Sequence, residues 1–137
     1  MKAVNVNKVS FNEILKLADI ISIHVPLNNE TKYLFDRNAF IKMEKKPIII
    51  NSSRGGIINE KDLIDAYINN YISGFALDVF ENEPVNETLY RNISNDMNCI
   101  LTPHIAGVTV EATIRMSKES VQNVFDIFDN KINENVI

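Results

Sequence analysis

The sequence of 137 residues has little cysteine, histidine or glycine: it contains one cysteine, two histidines and four glycines. A single cysteine excludes an internal disulfide and is typical of proteins from a reducing compartment. The N-terminal stretch MKAVNVNKVS also lacks the apolar segment of a signal peptide. We therefore expect a cytoplasmic location.

Long apolar runs and blocks of like charge are also missing. The longest apolar stretches, IISIHV and PIIIN, are far shorter than the roughly 20 residues of a membrane-spanning helix. The net charge is −4 and the charged residues are spread along the chain, which argues against a nucleic acid or a membrane as the main partner. A hydrophobic content of 45% is enough for one domain with a sizeable core.

Short apolar segments alternate with segments of helical spacing. The predicted strands are IISIHV (20–25), PIIINSS (47–53), SGFALDVF (73–80) and CILT (99–102). The predicted helices are SFNEILKLAD, DRNAFIKM, NEKDLIDAYINN and a long helix over 109–130. Ser10 followed by Glu13 predicts a capping box at the first helix. Strands that are apolar on both faces, each followed by a helix, predict a doubly wound α/β fold with a mostly parallel sheet.

The residues that directly follow the strands are the candidates for a binding site, because ligands of such sheets bind beyond the carboxyl ends of the strands. These residues are His24, Asn51–Gly56, Asp78–Pro84 and His104–Gly107. They include an arginine, an acidic cluster and a histidine. The strand order therefore directs three groups suited to acid–base chemistry and carboxylate binding toward one edge of the sheet.

Each of these groups also has an ordinary structural interpretation. Arg54 precedes two glycines that allow a sharp turn, so its guanidinium can bind a carboxylate, or it can simply lie on the surface. Glu83 in DVFENEP can orient a histidine, or it can belong to a solvated acidic loop. His104 can act as an acid and base or fill a structural role. His24 is interpreted as lining the site without a chemical role.

Four segments occur together in one order: HVPLNNETKYL, INSSRGGIINEKDL, GFALDVFENEP and LTPHIAG. In this order they resemble the NAD-binding domain of the D-isomer-specific 2-hydroxyacid dehydrogenases, and the resemblance extends from about Val9 to Lys131. It implies a Rossmann-like fold, NAD as the cofactor with NADP as an alternative, and a small 2-hydroxy or 2-oxo acid as the substrate. It further implies a homodimer. No metal, nucleic acid or membrane is expected as a partner.

The resemblance also assigns roles to individual residues. Arg54 binds the carboxylate of the substrate, His104 exchanges the hydroxyl proton, and Glu83 is the partner of His104. Asp78 faces the amide of the nicotinamide. The residues in contact with the cofactor are Val25, Pro26, Thr31, Ser52, Ser53, Arg54, Asp78, His104, Ile105, Ala106 and Gly107.

One family motif, the glycine-rich G-x-G-x-x-G turn that binds the pyrophosphate, is missing from the sequence. The glycines are Gly55, Gly56, Gly74 and Gly107. Residues 1–137 are therefore expected to form the second half of an NAD-binding domain without its first βαβ unit, with the helix 109–130 leading back toward a missing substrate domain. We expect this chain to be inactive alone. The strand 20–25 would then be an exposed edge through which the chain associates with itself.

Two other functions compete with the dehydrogenase interpretation. The chain could be a non-catalytic module for NAD sensing or protein interaction, or it could be an inactive gene remnant. The presence of Arg54, Glu83 and His104 together argues against a pure binding module, because binding alone does not need the three groups.

Overall fold

The structure is a computed structural model that describes residues 6–85, 87–91, 93 and 97–131. The chain divides into two compact units, Met1–His104 and Ile105–Ile137. The helices are α1 (Phe11–Leu17), α2 (Arg37–Ile41), α3 (Glu60–Ile68), α4 (Glu87–Tyr90) and α5 (Val110–Phe128). The strands are β1 (Ile20–Ile23), β2 (Ile48–Asn51), β3 (Gly74–Leu77) and β4 (Cys99–Leu101).

The first unit is built on a parallel sheet of four strands in the order β1-β2-β3-β4. In register, Ile21 pairs with Ile49, Ile49 with Phe75, and Phe75 with Cys99. The predicted α/β fold with a parallel sheet is confirmed. Each strand is shorter than its apolar segment, since the last residues of these segments already belong to the loops that form the site.

The core lies on one face of this sheet. Alternate strand residues such as Ile21, Ile49 and Phe75 are buried there, and they cluster with Leu15 of α1, Phe40 of α2 and other helix residues. Burying one such side chain stabilises the fold by about 1.5–3 kcal/mol. The packing of α1, α2 and α3 therefore fixes the sheet and with it the positions of the loops at its carboxyl end.

The opposite face and one edge of the sheet remain accessible. The strand register places three exposed isoleucines together on that face, namely Ile20, Ile48 and Ile100. Among the described residues, β1 pairs with β2 alone. Within the part of the chain that the structure describes, β1 is therefore an edge strand, as expected for residues 20–25.

Side-chain caps define the starts of the helices. Ser10 and Glu13 form the predicted capping box of α1, and Asp36 accepts a hydrogen bond from the Ala39 N–H at the start of α2. The helix α4 was not predicted, because one turn is too short to show a helical period. No helix within the described ranges combines the length and hydropathy of a membrane-spanning helix.

The second unit contains α5, which begins after Thr109. The Thr109 side chain accepts a hydrogen bond from the Ala112 N–H, and the helix ends at Asp129. The helix thus lies within the predicted range 109–130. None of its described residues is buried, and apolar side chains such as Val121 and Phe128 are exposed.

Candidate active site at the carboxyl ends of the strands

The loops that follow β2, β3 and β4 begin side by side. The hydrogen-bond ladder continues past the strand ends, since the Asp78 N–H donates to the Asn51 carbonyl at 3.0 Å and the Thr102 N–H donates to the Leu77 carbonyl at 2.9 Å. These hydrogen bonds hold the first residues of neighbouring loops next to each other. The side chains of the loops therefore lie at the same edge of the sheet.

One side-chain contact between these loops joins His104 to Glu83. His104 Nδ1 lies 2.8 Å from Glu83 Oε2. An ionised carboxylate can only accept, so the Nδ1–H of the imidazole donates this hydrogen bond. The tautomer thus fixed leaves Nε2 without a proton in the neutral ring and able to take one. Both side chains are partly exposed, His104 by 50% and Glu83 by 39%.

The second oxygen of Glu83 is also held. Oε1 accepts a hydrogen bond from the Phe80 N–H at 3.0 Å. The hydrogen bond from His104, and after it the one from the Phe80 N–H, lower the pKa of the Glu83 carboxyl below its ordinary value. The carboxylate is therefore ionised at neutral pH. The ionised Glu83 side chain contributes to the stability of the fold above the ordinary pKa of glutamate. This contribution is lost as the pH falls through the lowered pKa of Glu83.

The backbone at His104 adopts a left-handed conformation, with φ of 53°. Such values are uncommon outside glycine, although histidine and asparagine reach them more readily than most residues. The His104 N–H donates to the Thr102 carbonyl at 2.9 Å, which closes a tight turn around Pro103. Strained conformations of this kind cluster at functional sites, and here the turn directs the imidazole back to Glu83.

The loop that carries Arg54 is organised by Asn51. This side chain is only 2% exposed, donates to the Arg54 carbonyl at 3.0 Å, and accepts hydrogen bonds from the N–H and the hydroxyl of Ser53. Next to it, Gly55 lies so close to the following loop that a Cβ atom would be 1.8 Å from the Phe80 carbonyl oxygen. The Arg54 loop and the Glu83 loop are thus in direct backbone contact.

A cleft of about 630 Å³ opens between the loops that follow β1 and β2. Its lining comprises His24, Val25, Pro26, Leu27, Ser52, Ser53 and Arg54. The volume lies in the range typical of small-molecule sites. Within the cleft, His24 Nε2 is 2.7 Å from the Ser22 hydroxyl and Arg54 Nη1 donates to the Ser53 carbonyl at 2.6 Å.

Glu83 and His104 line a separate, mostly apolar pocket of about 190 Å³, together with Phe80, Pro84, Val85 and Pro103. The structure thus brings Glu83 and His104 into contact and places Arg54 in the neighbouring cleft. The roles of the three residues stay predictions.

The remaining predicted cofactor contacts have different surroundings. Asp78 is buried and accepts a hydrogen bond from the Thr102 hydroxyl at 2.6 Å. The Thr31 hydroxyl donates to the Pro26 carbonyl at 2.6 Å and so stabilises its own loop. Ile105, Ala106 and Gly107 open the second unit, where the Val108 N–H donates to the Ile105 carbonyl at 2.9 Å.

Two residues that shape the site received no individual role from the sequence, although Asn51 lies in the candidate range Asn51–Gly56. Asn51 holds the Arg54 loop, and Thr102 orients Asp78. The position of Asn51 directly before Ser-Ser-Arg-Gly-Gly could have indicated that it organises this loop, because asparagine side chains commonly bind neighbouring backbone groups in turns. The contact of Thr102 depends on a neighbouring strand and left no such local signal. Within the described residues, no group of three or more histidine, cysteine, aspartate or glutamate side chains could hold a metal ion.

Comparison with known families gives one clear match. The family model of the D-isomer specific 2-hydroxyacid dehydrogenase NAD binding domain matches residues 1–106, which is more than half of the chain. The matched range includes Arg54, Glu83 and His104. The family predicted from the four sequence segments is therefore confirmed.

Individual relatives agree with this match. The chain is 38% identical over 123 residues to the D-3-phosphoglycerate dehydrogenase of Bacillus subtilis, covering 90% of this chain and 23% of the relative. It is 41% identical over 111 residues to the (S)-sulfolactate dehydrogenase of Chromohalobacter salexigens, covering 81% of this chain and 35% of the relative. The structure of D-lactate dehydrogenase with NAD+ from Lactobacillus jensenii matches with a TM-score of 0.83 and 27% identity, covering 94% of this chain and 42% of that one. The chain spans less than half the length of each of these relatives.

Proposed function

The chain belongs to the D-isomer specific 2-hydroxyacid dehydrogenase family, in its NAD-binding domain, and on that premise we propose that it supplies the proton-transferring side of an enzyme that interconverts a 2-hydroxy acid and a 2-oxo acid with NAD. The observation that carries this proposal is the 2.8 Å hydrogen bond between His104 Nδ1 and Glu83. A histidine held in one tautomer by a carboxylate is suited to take and return a proton.

The proposed chemistry assigns one task to each side chain. Oxidation of a 2-hydroxy acid removes the hydroxyl proton and a hydride from C2, and NAD supplies the hydride acceptor when it is bound. His104 Nε2 takes the hydroxyl proton, and the Glu83 carboxylate stabilises the resulting imidazolium. In the reverse reaction His104 returns the proton to the carbonyl oxygen. Arg54 binds the substrate carboxylate through parallel N–H donors of its guanidinium.

The cleft beside Arg54 fits the cofactor part of the proposal. Its size suits a ligand of the nicotinamide class, and its mixed apolar and hydroxyl lining can contact both a ring and polar groups. The residues that would hold NAD, or NADP as the alternative, are Val25, Pro26, Thr31, Ser52, Ser53, Arg54, Asp78, His104, Ile105, Ala106 and Gly107. Asp78 would face the nicotinamide amide.

The domain organisation is part of the same proposal. We propose that residues 1–137 correspond to the second half of an NAD-binding domain, and that α5 leads toward a substrate domain formed by residues outside this range. Two observations support this. The chain covers 42% or less of the relatives described above, and α5 has no buried residue although it carries several apolar side chains.

A hybrid enzyme tests the function. In it, this chain replaces the segment that it matches in the (S)-sulfolactate dehydrogenase of Chromohalobacter salexigens. We expect the hybrid to oxidise (S)-sulfolactate with NAD. The chain alone should show no turnover and little heat on calorimetric titration with NAD, because it has no G-x-G-x-x-G turn. A hybrid that folds and binds NAD but does not turn over, or tight NAD binding by the lone chain, would contradict the proposal.

We expect the isolated chain to associate through the edge of β1 that has no strand partner among the described residues, beside the exposed Ile20. Sedimentation velocity over a concentration series should show oligomers, and Ile20→Lys should shift them toward monomer. Ile68→Lys is the matched control, since Ile20 and Ile68 are both 60% exposed and Ile68 lies on α3. A monomeric parent chain, or an equal response to both substitutions, would contradict association at this edge.

A further inference from the structure

Two glutamates on different loops bind each other's backbone. The Glu60 N–H donates to Glu81 Oε1 at 2.8 Å, and the Glu81 N–H donates to Glu60 Oε1 at 2.5 Å. We refer to this reciprocal pair, Glu60 and Glu81, as the glutamate clasp. It joins the loop that follows β3 to the first residue of α3.

The clasp also binds a residue on the loop after β1. The Tyr33 hydroxyl donates to Glu81 Oε2 at 3.1 Å, and the Tyr33 N–H donates to the Gly56 carbonyl at 2.8 Å. Glu81 therefore accepts hydrogen bonds on both carboxylate oxygens from two different segments. Three successive loops at the carboxyl end of the sheet are tied together at one residue.

The position of Glu81 at the start of α3 explains how a carboxylate is tolerated there. The first N–H groups of a helix lack partners within the helix, and a negative charge at this end interacts favourably with the helix dipole. The unfavourable free energy of burying a carboxyl group arises at Glu60, which is only 8% exposed. Burial raises the pKa of this residue. Burying such a group is unfavourable unless its hydrogen bonds are made, so the clasp is sensitive to the loss of either member.

The clasp adjoins the catalytic pair through Phe80. Glu81 follows Phe80 in the chain, the Phe80 N–H donates to Glu83 Oε1 at 3.0 Å, and the Phe80 carbonyl is in contact with Gly55 beside Arg54. A displacement of Glu81 would therefore move the peptide groups that hold Glu83, and would alter their fit against the Arg54 loop.

We propose that Glu60 and Glu81 are positioning residues, which hold the loop of Glu83 so that its carboxylate meets His104 Nδ1. This proposal rests on the proposed function, because it concerns how the acid–base pair of that reaction is oriented. Neither glutamate lines the cleft beside Arg54 or the pocket of Glu83 and His104. It acts through the backbone of residues 80–83.

Nitrogen-15 NMR of the His104 ring, on dilute samples of the full chain at one pH, tests the proposal without requiring turnover. The Glu83→Gln variant defines the ring signals of a weakened pair. We expect Glu81→Ala to shift the His104 signals most of the way toward those of Glu83→Gln. Glu81→Gln should restore them in part, because its amide oxygen still accepts one hydrogen bond. Glu30→Gln, on an exposed glutamate of the loop after β1, is the matched control and should leave the signals unchanged.

The outcomes separate this proposal from the function on which it rests. A folded Glu81→Ala chain with parental His104 signals overturns the role of the clasp and leaves the acid–base pair intact. Equal His104 signals in the parent chain and in Glu83→Gln overturn the pair itself, and the clasp with it. If Glu81→Ala does not fold, Tyr33→Phe is used instead, because it removes the hydrogen bond from the Tyr33 hydroxyl to Glu81. This variant should shift the His104 signals in the same direction by a smaller amount. No shift in Tyr33→Phe overturns the proposal.

Discussion

In the hybrid enzyme, replacing His104 with asparagine is expected to lower kcat for the oxidation of (S)-sulfolactate by about 10²- to 10⁴-fold, the range that a positioned general acid–base group contributes. Asparagine cannot take up the hydroxyl proton at neutral pH. It does tolerate the left-handed backbone of this position, where φ is 53°. His104→Ala should lose at least as much activity, and would additionally strain the turn around Pro103.

Two further variants serve as controls, because each removes the charge of one glutamate, in one case next to His104 and in the other on a different loop. Glu83→Gln keeps the size of the side chain but removes the charge that stabilises the imidazolium, so kcat should fall there too. Glu30→Gln makes the same chemical change on an exposed glutamate of another loop and should leave kcat unchanged. NAD affinity, measured by calorimetry, shows whether each variant still forms the cofactor site. Full kcat in a folded His104→Asn hybrid would remove His104 from the proposed mechanism.

The features that the sequence predicted well are those with local or periodic signals. The apolar segments identified the four strands, and Ser10 with Glu13 identified the start of α1, because a capping box depends on residues three apart. Strand order indicated only that the loops of Glu83 and His104 reach one edge of the sheet, and the pairing of these two side chains was implied by the family resemblance.

The features that the sequence did not predict depend on contacts between distant segments. The clasp of Glu60 and Glu81 joins residues 21 positions apart through backbone groups. No spacing rule distinguishes either of these glutamates from other acidic residues of the chain. The left-handed backbone at His104 was not predicted either, because this conformation is uncommon outside glycine and the position holds a histidine. Such positions are where local sequence rules are expected to fail, and they concentrate at functional sites.

The second large effect is expected at Arg54, because a guanidinium that binds a carboxylate makes charge-assisted hydrogen bonds worth about 1.5–3 kcal/mol. In the hybrid, Arg54→Gln should therefore raise KM for (S)-sulfolactate and lower kcat/KM by about 10- to 150-fold. The kcat/KM of Arg54→Lys should fall between those of the unsubstituted hybrid and Arg54→Gln, since lysine keeps the charge but cannot offer two parallel N–H donors.

The comparison of Arg54 with Arg37 tests whether this effect is local. Arg37 is on α2, away from the strand ends, and Arg37→Gln removes the same charge without touching the cleft. The net charge therefore changes equally in both variants, and a difference in KM for the acid reports binding at the site alone. Because the Arg54 side chain also donates to the Ser53 carbonyl, its loss could disturb the cofactor cleft. KM for NAD separates these effects: a rise confined to NAD would show that Arg54 shapes the cofactor cleft and does not bind the substrate carboxylate.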